Sequence, residues 1–349
     1  MFEQTVNAIG KLDSDAMFKA QERLNNLTKP LGSLGVLEAI PKQLAGITGE
    51  VIPTIKEKKI IIMAGDHGVV EEGVSAFPQE VTPQMVANFV HKGAAINVLT
   101  KHVGAEVRVV DIGVAADIAD LPITHAKVKK GTNNFTKGPA MTREEAVKAL
   151  EVGIAIANEE IDRGVNLLGT GEMGIGNTTP SSAILSVLGG YSPEDVTGRG
   201  TGIDDKGLAI KQEVIAKGIA FNKPNPKDPI DVLSKVGGFE IAGLAGVILG
   251  AAARRVPVVI DGFISSAAAL IAKEIAPNSV NFMIPSHGSQ EPGHALMMEL
   301  LGLKPILHLE MRLGEGTGAA LAMNVVEASI KIIGEMATFA EAGVSEGTA

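Results

Sequence analysis

The sequence predicts an α/β protein, with a parallel sheet covered by helices on both faces and a small helical domain formed by both ends of the chain. Three observations support this fold class. Short segments that are apolar throughout recur along the chain. Several of them end in glycine-rich turns and lead into helix-like stretches. The two ends of the chain are helix-like and contain no such segment.

The apolar segments are candidate strands because they are rich in Val and Ile and lack polar alternation, which is typical of parallel strands buried on both faces. In chain order they are residues 59–64, 107–112, 165–168, 256–260 and 280–284. In a parallel sheet that alternates with helices, ligands bind beyond the carboxyl ends of the strands. The glycine-rich turns lie at those ends, and we expect the functional site among them.

The ends of the chain predict helices. Residues 15–27 have the pattern of an amphipathic helix that stops before Pro30, and residues 317–336 have a long helical pattern. We therefore predict a small helical domain from residues 1–40 and 317–349, and a large α/β domain from residues 41–316 that carries the active site.

The longest apolar stretch is residues 241–253. A membrane-spanning helix needs roughly 20 such residues. This stretch is shorter, so it predicts a buried helix, and we expect no membrane partner.

Composition restricts the class of protein. The 349 residues carry a net charge of −9, and aromatic residues make up 3%, with no Trp and one Tyr. Proteins that bind nucleic acid are expected to have a basic surface and often stacking aromatics, so we predict no nucleic-acid partner. The absence of Cys excludes disulfides, thiolate metal sites and a cysteine nucleophile. The first residues contain no basic patch followed by an apolar run, and we expect a cytoplasmic protein.

The richest glycine loop covers residues 169–179, GTGEMGIGNTT. Its G-x-G-x-x-G pattern at Gly169, Gly171 and Gly174 occurs in dinucleotide-binding proteins but is a weak indication when it stands alone. The loop also resembles a P-loop, except that Asn177 stands where the lysine is required. A glycine-rich loop before a helix is suited to bind a monophosphate or a carboxylate through backbone N–H groups. A tight turn without a ligand is the alternative.

A second glycine-rich segment, residues 198–205, precedes Lys206 and Lys211. Either lysine is suited to supply the cation for a phosphate group. The alternative is that both are solvated surface residues.

A third loop, residues 312–322, places Glu315 between Gly314 and Gly316, immediately before the long helical pattern. A carboxylate between two glycines has little side-chain cover and is able to project into a cleft. An acidic residue before a helix is also a common partner of the helix dipole. The residues by themselves leave these two interpretations open.

Three histidines lie in loops near the predicted strand ends: His67, His287 and His294. No H-E-x-x-H or comparable spacing occurs, and loop histidines are more often structural hydrogen-bonding residues, so we predict no metal site. The sequence also has no G-x-S-x-G motif from which a serine triad is built.

Taken together, these segments resemble one family, the nicotinate-nucleotide–dimethylbenzimidazole phosphoribosyltransferases. The family contains them in the same order, and the likeness covers essentially the whole chain. They are residues 29–38 (KPLGSLGVLE), 65–89 (GDHGVVEEGVSAFPQEVTPQMVANF), 169–179, 261–268 (DGFISSAA), 286–294 (SHGSQEPGH), 312–322 and 335–344 (EMATFAEAGV).

The resemblance implies a Rossmann-like parallel sheet with a small helical domain from both termini, in a homodimer. It implies transfer of the 5-phosphoribosyl group from nicotinate mononucleotide to dimethylbenzimidazole. The products are α-ribazole 5′-phosphate and nicotinate, and the reaction serves assembly of the cobalamin nucleotide loop. Neither a cofactor nor a metal is implied.

The resemblance also implies roles for particular residues. Glu315 matches the catalytic base of the family, and Glu172 matches a second acidic residue near the reacting sugar. The aromatic base is expected in an apolar slot near Ser75, Pro78 and Gln84. The remaining substrate-binding residues, most of them expected to hold the phosphate, are Gly174, Gly176, Asn177, Thr178, Lys211 and Gly314.

The chemistry of this transfer explains why one base is enough. Dimethylbenzimidazole attacks through one nitrogen, and its other nitrogen must lose a proton as positive charge develops. General-base catalysis by a carboxylate is typically worth about 10²–10⁴-fold. The pyridinium of the donor leaves as a neutral ring, so no general acid is required. Two alternatives use the same loops: a nicotinamide-cofactor oxidoreductase and a non-catalytic nucleotide sensor.

Overall fold

A computed structural model describes residues 1–345 of the chain. Within these residues, six parallel strands form one sheet in the order β3-β2-β1-β4-β5-β6. This is a doubly wound order: β2 and β3 are added on one side of β1, and β4, β5 and β6 are added on the other, so the strand order reverses between β1 and β4. The strands are β1 (Lys58–Gly65), β2 (Glu106–Gly113), β3 (Thr124–His125), β4 (Leu167–Met173), β5 (Val258–Ile260) and β6 (Met283–Pro285).

Helices follow most of the strands and also form both ends of the described chain. They are α1 (Phe2–Ala8), α2 (Ser14–Asn26), α3 (Val36–Thr48), α4 (Val81–Val90), α5 (Ala95–Val103), α6 (Arg143–Asp162), α7 (Thr178–Gly189), α8 (Pro193–Val196), α9 (Asp205–Asn222), α10 (Pro229–Val236), α11 (Phe239–Ala253), α12 (Phe263–Ile275), α13 (Gly293–Leu301), α14 (Thr317–Glu335) and α15 (Phe339–Ala342).

The helices cover both faces of the sheet. Ile60 of β1 lies close to Gly169 and to Gly316 at the start of α14, whereas Met63 packs against Gly243 of α11. Successive side chains of a strand point to opposite faces, and these two residues are three apart. α14 and α11 therefore lie on opposite faces, and the predicted Rossmann-like α/β fold is confirmed.

The central strands are apolar because both of their faces are buried. Ile60, Ile61 and Ile62 of β1 have no exposed surface. Burial of each such side chain contributes on the order of 1.5–3 kcal/mol, so this strand anchors the sheet. The predicted buried helix at residues 241–253 is confirmed as α11, whose side chains are buried along nearly its full length.

Two predicted strand boundaries are wrong by about three residues or more. The third strand was expected to end at residue 168, but β4 continues to Met173, so Gly169 and Gly171 lie in a strand instead of a loop. Glycine is needed at Gly171 because a Cβ there would lie 2.5 Å from the backbone oxygen of Glu315, whereas a Cβ at Gly169 would meet the movable end of the Ile60 side chain at 2.4 Å. The last strand begins at Met283, because the preceding residues form a 3₁₀-helix.

Helices from both ends of the chain meet in a small apolar cluster, separate from the main core. Its buried members come from α2, α3 and the end of α14: Ala16, Ala20, Leu24, Leu27, Ala45 and Ile333. The first half of α14 instead packs on the sheet, through residues such as Ala319 and Met323. The division into domains at residues 40 and 317 stays a prediction.

α14 is also long and apolar enough, by length and composition, to cross a membrane. Half of the qualifying window is buried inside the protein. Together with its packing on the sheet, this burial is typical of a core helix.

Candidate active site

The carboxyl ends of β4, β5 and β6 open into a cavity of about 450 Å³. This volume lies in the range of roughly 300–1,000 Å³ that is usual for small-molecule sites. The cavity lies next to the point between β1 and β4 where the strand order reverses, as expected for an open α/β sheet. Its walls include Phe77, Val81 and Met85, together with residues of the segments 172–178, 200–201, 261–265, 287–291 and 312–315.

Glu172 is placed in this cavity by β4, whose close pairing with β1 fixes its position opposite Met63. The side chain is buried, and Asn177 Nδ2 donates a hydrogen bond to Oε2. Burial raises the pKa of Glu172 to about 8, although the hydrogen bond from Asn177 opposes the rise. The carboxyl group therefore holds its proton at neutral pH when the cavity is empty.

Glu315 is placed by an unusual turn before α14. Its φ of 64° is in the left-handed region, between Gly314 at 85° and Gly316 at 96°. A residue other than glycine in this region is strained, and such strain persists only where the surroundings impose it. Oε2 of Glu315 accepts a hydrogen bond of 3.2 Å from the backbone N–H of Ile96 in the first turn of α5. Burial raises the pKa of Glu315, and this hydrogen bond opposes the rise.

The two glutamates belong to one site because the turn before α14 lies against β4. A Cβ at Gly314 would lie 2.2 Å from Glu172 Oε1, so only glycine leaves room for that carboxylate. A Cβ at Gly171 would lie 2.5 Å from the backbone oxygen of Glu315. The glycines at these two positions therefore let both carboxyl groups face the same cavity.

The loop that follows β4 is suited to an anion. α7 begins at Thr178, directly after the loop that contains Gly174, Gly176 and Asn177, and its first N–H groups have no side-chain cap. The positive end of the helix dipole favours a phosphate here, although the N–H groups of Thr179 and Ser181 already donate to the carbonyl oxygens of Gly176 and Asn177. Lys211 of α9 reaches the same place, since its Nζ donates a 2.6 Å hydrogen bond to Thr178 Oγ1.

Lys211 is fully buried, unlike the exposed Lys206. Burial lowers the pKa of Lys211 to about 8, although the charge of Glu291 opposes the shift. A phosphate bound beside it would stabilise the charged form. The alternative that both lysines are solvated surface residues is therefore wrong for Lys211.

The structure does not bring every predicted residue to the cavity wall. Pro78 and Gln84 are exposed, and Ser75 Oγ lies 3.2 Å from Thr201 Oγ1. The wall is formed instead by their apolar neighbours Phe77, Val81 and Met85. Val81 and Met85 are four residues apart on α4, a helical spacing that is visible in the sequence. The role of Ser75, Pro78 and Gln84 stays a prediction.

The histidines near the strand ends have structural partners. His67 Nε2 lies 2.8 Å from Glu240 Oε1, and both side chains are buried. His294 Nε2 lies 3.2 Å from Ser266 Oγ, and its ring is roughly parallel to that of His287. In the described part of the chain, no three His, Asp or Glu side chains come together as metal ligands.

The chain is similar to known phosphoribosyltransferases over nearly its whole length. It matches the family model described as Phosphoribosyltransferase over residues 9–344. It is 58% identical to the nicotinate-nucleotide–dimethylbenzimidazole phosphoribosyltransferase of Geobacter sulfurreducens, over 99% of each chain. It is 59% identical to that of Chloroflexus aggregans, over 99% of this chain and 98% of the relative.

Solved structures agree with this similarity. The crystal structure of the nicotinate-nucleotide–dimethylbenzimidazole phosphoribosyltransferase from Thermus thermophilus superposes with a TM-score of 0.91 at 43% identity. The match covers 96% of this chain and 100% of that one. A second structure from the same organism has a TM-score of 0.92 at 44% identity. The chain belongs to the nicotinate-nucleotide–dimethylbenzimidazole phosphoribosyltransferase family.

Proposed function

We propose that this protein transfers the 5-phosphoribosyl group of nicotinate mononucleotide to dimethylbenzimidazole, producing α-ribazole 5′-phosphate and nicotinate for the cobalamin nucleotide loop. The observation that carries the proposal is the composition of one cavity. It combines an anion-binding helix start, an apolar wall and two buried glutamates, Glu172 and Glu315. A phosphorylated sugar, a flat aromatic base and a proton transfer need these three features.

The donor binds with its phosphate at the start of α7. The phosphate lies against the loop at Gly174 and Gly176, and Asn177, Thr178 and Lys211 complete its binding site. The contact between Lys211 and Thr178, at 2.6 Å, supports this assignment because it brings a positive charge to the helix start.

The acceptor lies between the phosphate site and the apolar wall, with Ser75, Pro78 and Gln84 at the outer end of the slot. Phe77, Val81 and Met85 form the nearer wall. Apolar side chains bind the two methyl groups and the ring of the base, although a pocket of this kind discriminates one methyl group only modestly.

In the transfer, one nitrogen of dimethylbenzimidazole forms the new bond to C1 of the ribose while the bond from C1 to the pyridinium nitrogen breaks. Glu315 accepts the proton from the other nitrogen of the benzimidazole. Its raised pKa supports this role, since the pKa of a general base is best placed near the working pH. Glu172 lies on the β4 side of the cavity, loses its proton to solvent as the cationic pyridinium ring of the donor binds, and stabilises charge on the ribose.

The electron pair of the broken bond stays on the nicotinate nitrogen, so the leaving ring needs no proton. The proposed reaction therefore balances with Glu315 as its single proton acceptor, without a cofactor or a metal. We further propose a cytoplasmic homodimer, in keeping with the small-molecule substrates and with the family that the sequence resembles.

The direct test is to incubate the purified protein with both substrates, without added metal, and to separate the products by chromatography. Glu315→Gln is the matched variant, since it keeps the size of the side chain and removes the base. We expect nicotinate and α-ribazole phosphate from the parent, and a turnover lower by about 10²–10⁴-fold in the variant. Nicotinate without the adduct would indicate a hydrolase, and a bound donor without turnover would indicate a sensor.

A further inference from the structure

Asp261 is a buried acidic residue that the proposed reaction leaves without a role. It directly follows β5 and is 2% exposed. Its carboxylate accepts three backbone hydrogen bonds from the start of α14: from Gly316 at 3.1 Å, from Gly318 at 2.8 Å and from Ala319 at 3.0 Å. These bonds join the end of a strand to the turn that carries Glu315.

The carboxylate replaces a cap that α14 cannot supply itself. The first N–H groups of a helix need acceptors, and a side chain at the N-cap position usually provides one. Here the N-cap is Gly316, which has no side chain. The negative charge of Asp261 also lies at the positive end of the helix dipole, where it is most favourable.

The strained Glu315 turn is held by local hydrogen bonds from Thr317 to the Gly314 carbonyl oxygen and, from outside the turn, by Asp261. Gly314, Glu315 and Gly316 all have positive φ, and only the glycines adopt such values without cost. Glu315 returns to a relaxed conformation unless its neighbours hold it. Gly316 follows Glu315 in the chain. The hydrogen bond from the Gly316 N–H to Asp261 therefore fixes the backbone on the C-terminal side of Glu315.

Asp261 itself is held rigidly. Its backbone N–H donates a 3.0 Å hydrogen bond to Thr170 Oγ1 on β4, and its carbonyl oxygen accepts one of 3.3 Å from Ser286 Oγ. His287 Nδ1 lies 3.9 Å from Oδ1. Contacts from β4 and from the end of β6 therefore hold Asp261 in place, and Asp261 in turn holds the turn of Glu315.

We infer that Asp261 is a positioning residue for the reaction: it holds the turn of Glu315 in the strained conformation that aims this carboxylate at the acceptor. The inference rests on the proposed role of Glu315 as the base. Asp261 contributes geometry, while Glu315 takes the proton. A misplacement of a catalytic group by about 1 Å is enough to lower turnover roughly 10²-fold.

The experiment is a double-mutant cycle with Asp261→Asn and Glu315→Gln, in which kcat and the KM of each substrate are measured. Asn keeps the size of Asp261 but offers one acceptor oxygen where the carboxylate offers two. We expect Asp261→Asn to lower kcat by about 10²-fold and to leave the KM of nicotinate mononucleotide nearly unchanged. In the Glu315→Gln background the same substitution should cause almost no further loss, because two residues that act as a unit are not additive.

Asp111→Asn is the matched control. Asp111 is also a buried carboxylate near the end of a strand, and it accepts a 2.9 Å hydrogen bond from the backbone of Val114. A purely structural loss should lower the melting temperature of both Asn variants alike, without the selective loss of kcat in Asp261→Asn.

If Asp261→Asn does not fold, Thr170→Val takes its place in the cycle. Thr170 Oγ1 accepts the N–H of Asp261, and valine keeps its shape. We then expect a smaller loss of kcat that again disappears in the Glu315→Gln background.

The outcomes separate the inference from the proposed function. If the losses of kcat multiply in the double variant, the positioning role of Asp261 is rejected and the proposed function stands. The same holds if Asp261→Asn keeps the parental kcat while Glu315→Gln is inactive. A parental turnover of Glu315→Gln would reject the assignment of the base, and the inference with it.

Discussion

Glu172 and Glu315 face one cavity but are held by different contacts. Glu172 lies on a strand, with Asn177 as its hydrogen-bond donor, and burial raises its pKa to about 8. Glu315 lies on a strained turn and accepts its hydrogen bond from the start of α5. Two carboxyl groups in different environments are suited to different tasks. Glu172 responds to the charge of the donor, and Glu315 accepts the proton of the acceptor.

The pKa of Glu172 has a consequence for stability. The folded protein holds this proton up to about pH 8, whereas the unfolded chain loses it near the ordinary value of 4.5. The folded state binds this proton more tightly than the unfolded chain does. The contribution of Glu172 to the free energy of unfolding therefore decreases as the pH rises from 4.5 to about 8. Glu172→Gln removes this contribution.

We therefore expect the melting temperature of the parent to fall more between pH 5 and pH 9 than that of Glu172→Gln, measured by calorimetry without ligand. The comparison of the two proteins matters, because burial also raises the pKa of Asp66 and Asp261. Equal pH dependence in the two proteins would mean that Glu172 is ionised in the empty cavity.

Lys211 gives a prediction for donor binding. Lys211→Met should raise the KM of nicotinate mononucleotide by roughly 10–100-fold, since a hydrogen bond to a charged group contributes about 1.5–3 kcal/mol. The KM of dimethylbenzimidazole should change little, because the contact of Lys211 with Thr178 lies at the phosphate end.

Lys206→Met is the control for this prediction. Lys206 was the other candidate cation in the sequence, but it is exposed. Its substitution should leave both KM values unchanged in the same steady-state assay. A Lys211 variant with parental donor KM would place the phosphate elsewhere.

At the scale of elements, the sequence predicted the fold well because buried parallel strands have an unmistakable composition. β1 and β2 were located to within a residue at each end. β4 was not, because glycine usually indicates a turn, and Gly169 and Gly171 lie within this strand. The cause is the approach of α14, a contact between residues far apart in the chain that a local pattern does not contain.

The site was predicted unevenly for a related reason. Glu315 stands out in the sequence because glycines flank it, and Glu172 because it lies among glycines. Asp261 received no role, because its hydrogen bonds to residues 316–319 exist only in the folded chain. On α4, Val81 and Met85 reach the cavity, whereas Gln84 is exposed.

The glycines of β4 give a prediction at this scale. Gly171→Ala places a Cβ 2.5 Å from the backbone oxygen of Glu315. A backbone oxygen cannot move aside as the end of a flexible side chain can. The turn of Glu315 must shift, and we expect kcat to fall by about 10–100-fold although no side chain of the site is removed.

Gly138→Ala is the matched control, because a Cβ at that position would have no atom within 4 Å. Both variants should be checked for folding by circular dichroism before their kinetics are compared. Parental kcat in a folded Gly171→Ala protein would show that the position of the turn tolerates this displacement.

At the scale of the whole molecule, α14 connects the site to the terminal helices. Its first turn binds Asp261 beside Glu315, and Ile333 near its end belongs to the small cluster formed with α2 and α3. α14 therefore joins the turn of Glu315 to the small cluster formed by the helices at the chain ends.

The surface near the amino-terminal helices is the candidate interface of the proposed homodimer. Leu31 is 74% exposed, and Phe18 and Val36 are also exposed. The loop that presents Leu31 is held by a buried ion pair of 2.9 Å between Lys29 and Glu38. Single exposed apolar side chains are common on protein surfaces, so substitution of Leu31 decides whether this loop belongs to the interface of the proposed homodimer.

We expect the parent to sediment at equilibrium with twice the chain mass of 36.1 kDa. Leu31→Asp should shift it toward the single-chain mass at micromolar concentration, because a charge is costly to bury in an apolar interface. Phe221→Asp is the control, since Phe221 is similarly exposed but lies at the end of α9. A parent that stays at the single-chain mass at every concentration would reject the homodimer. A Leu31→Asp protein that stays at twice that mass would instead place the interface away from this loop.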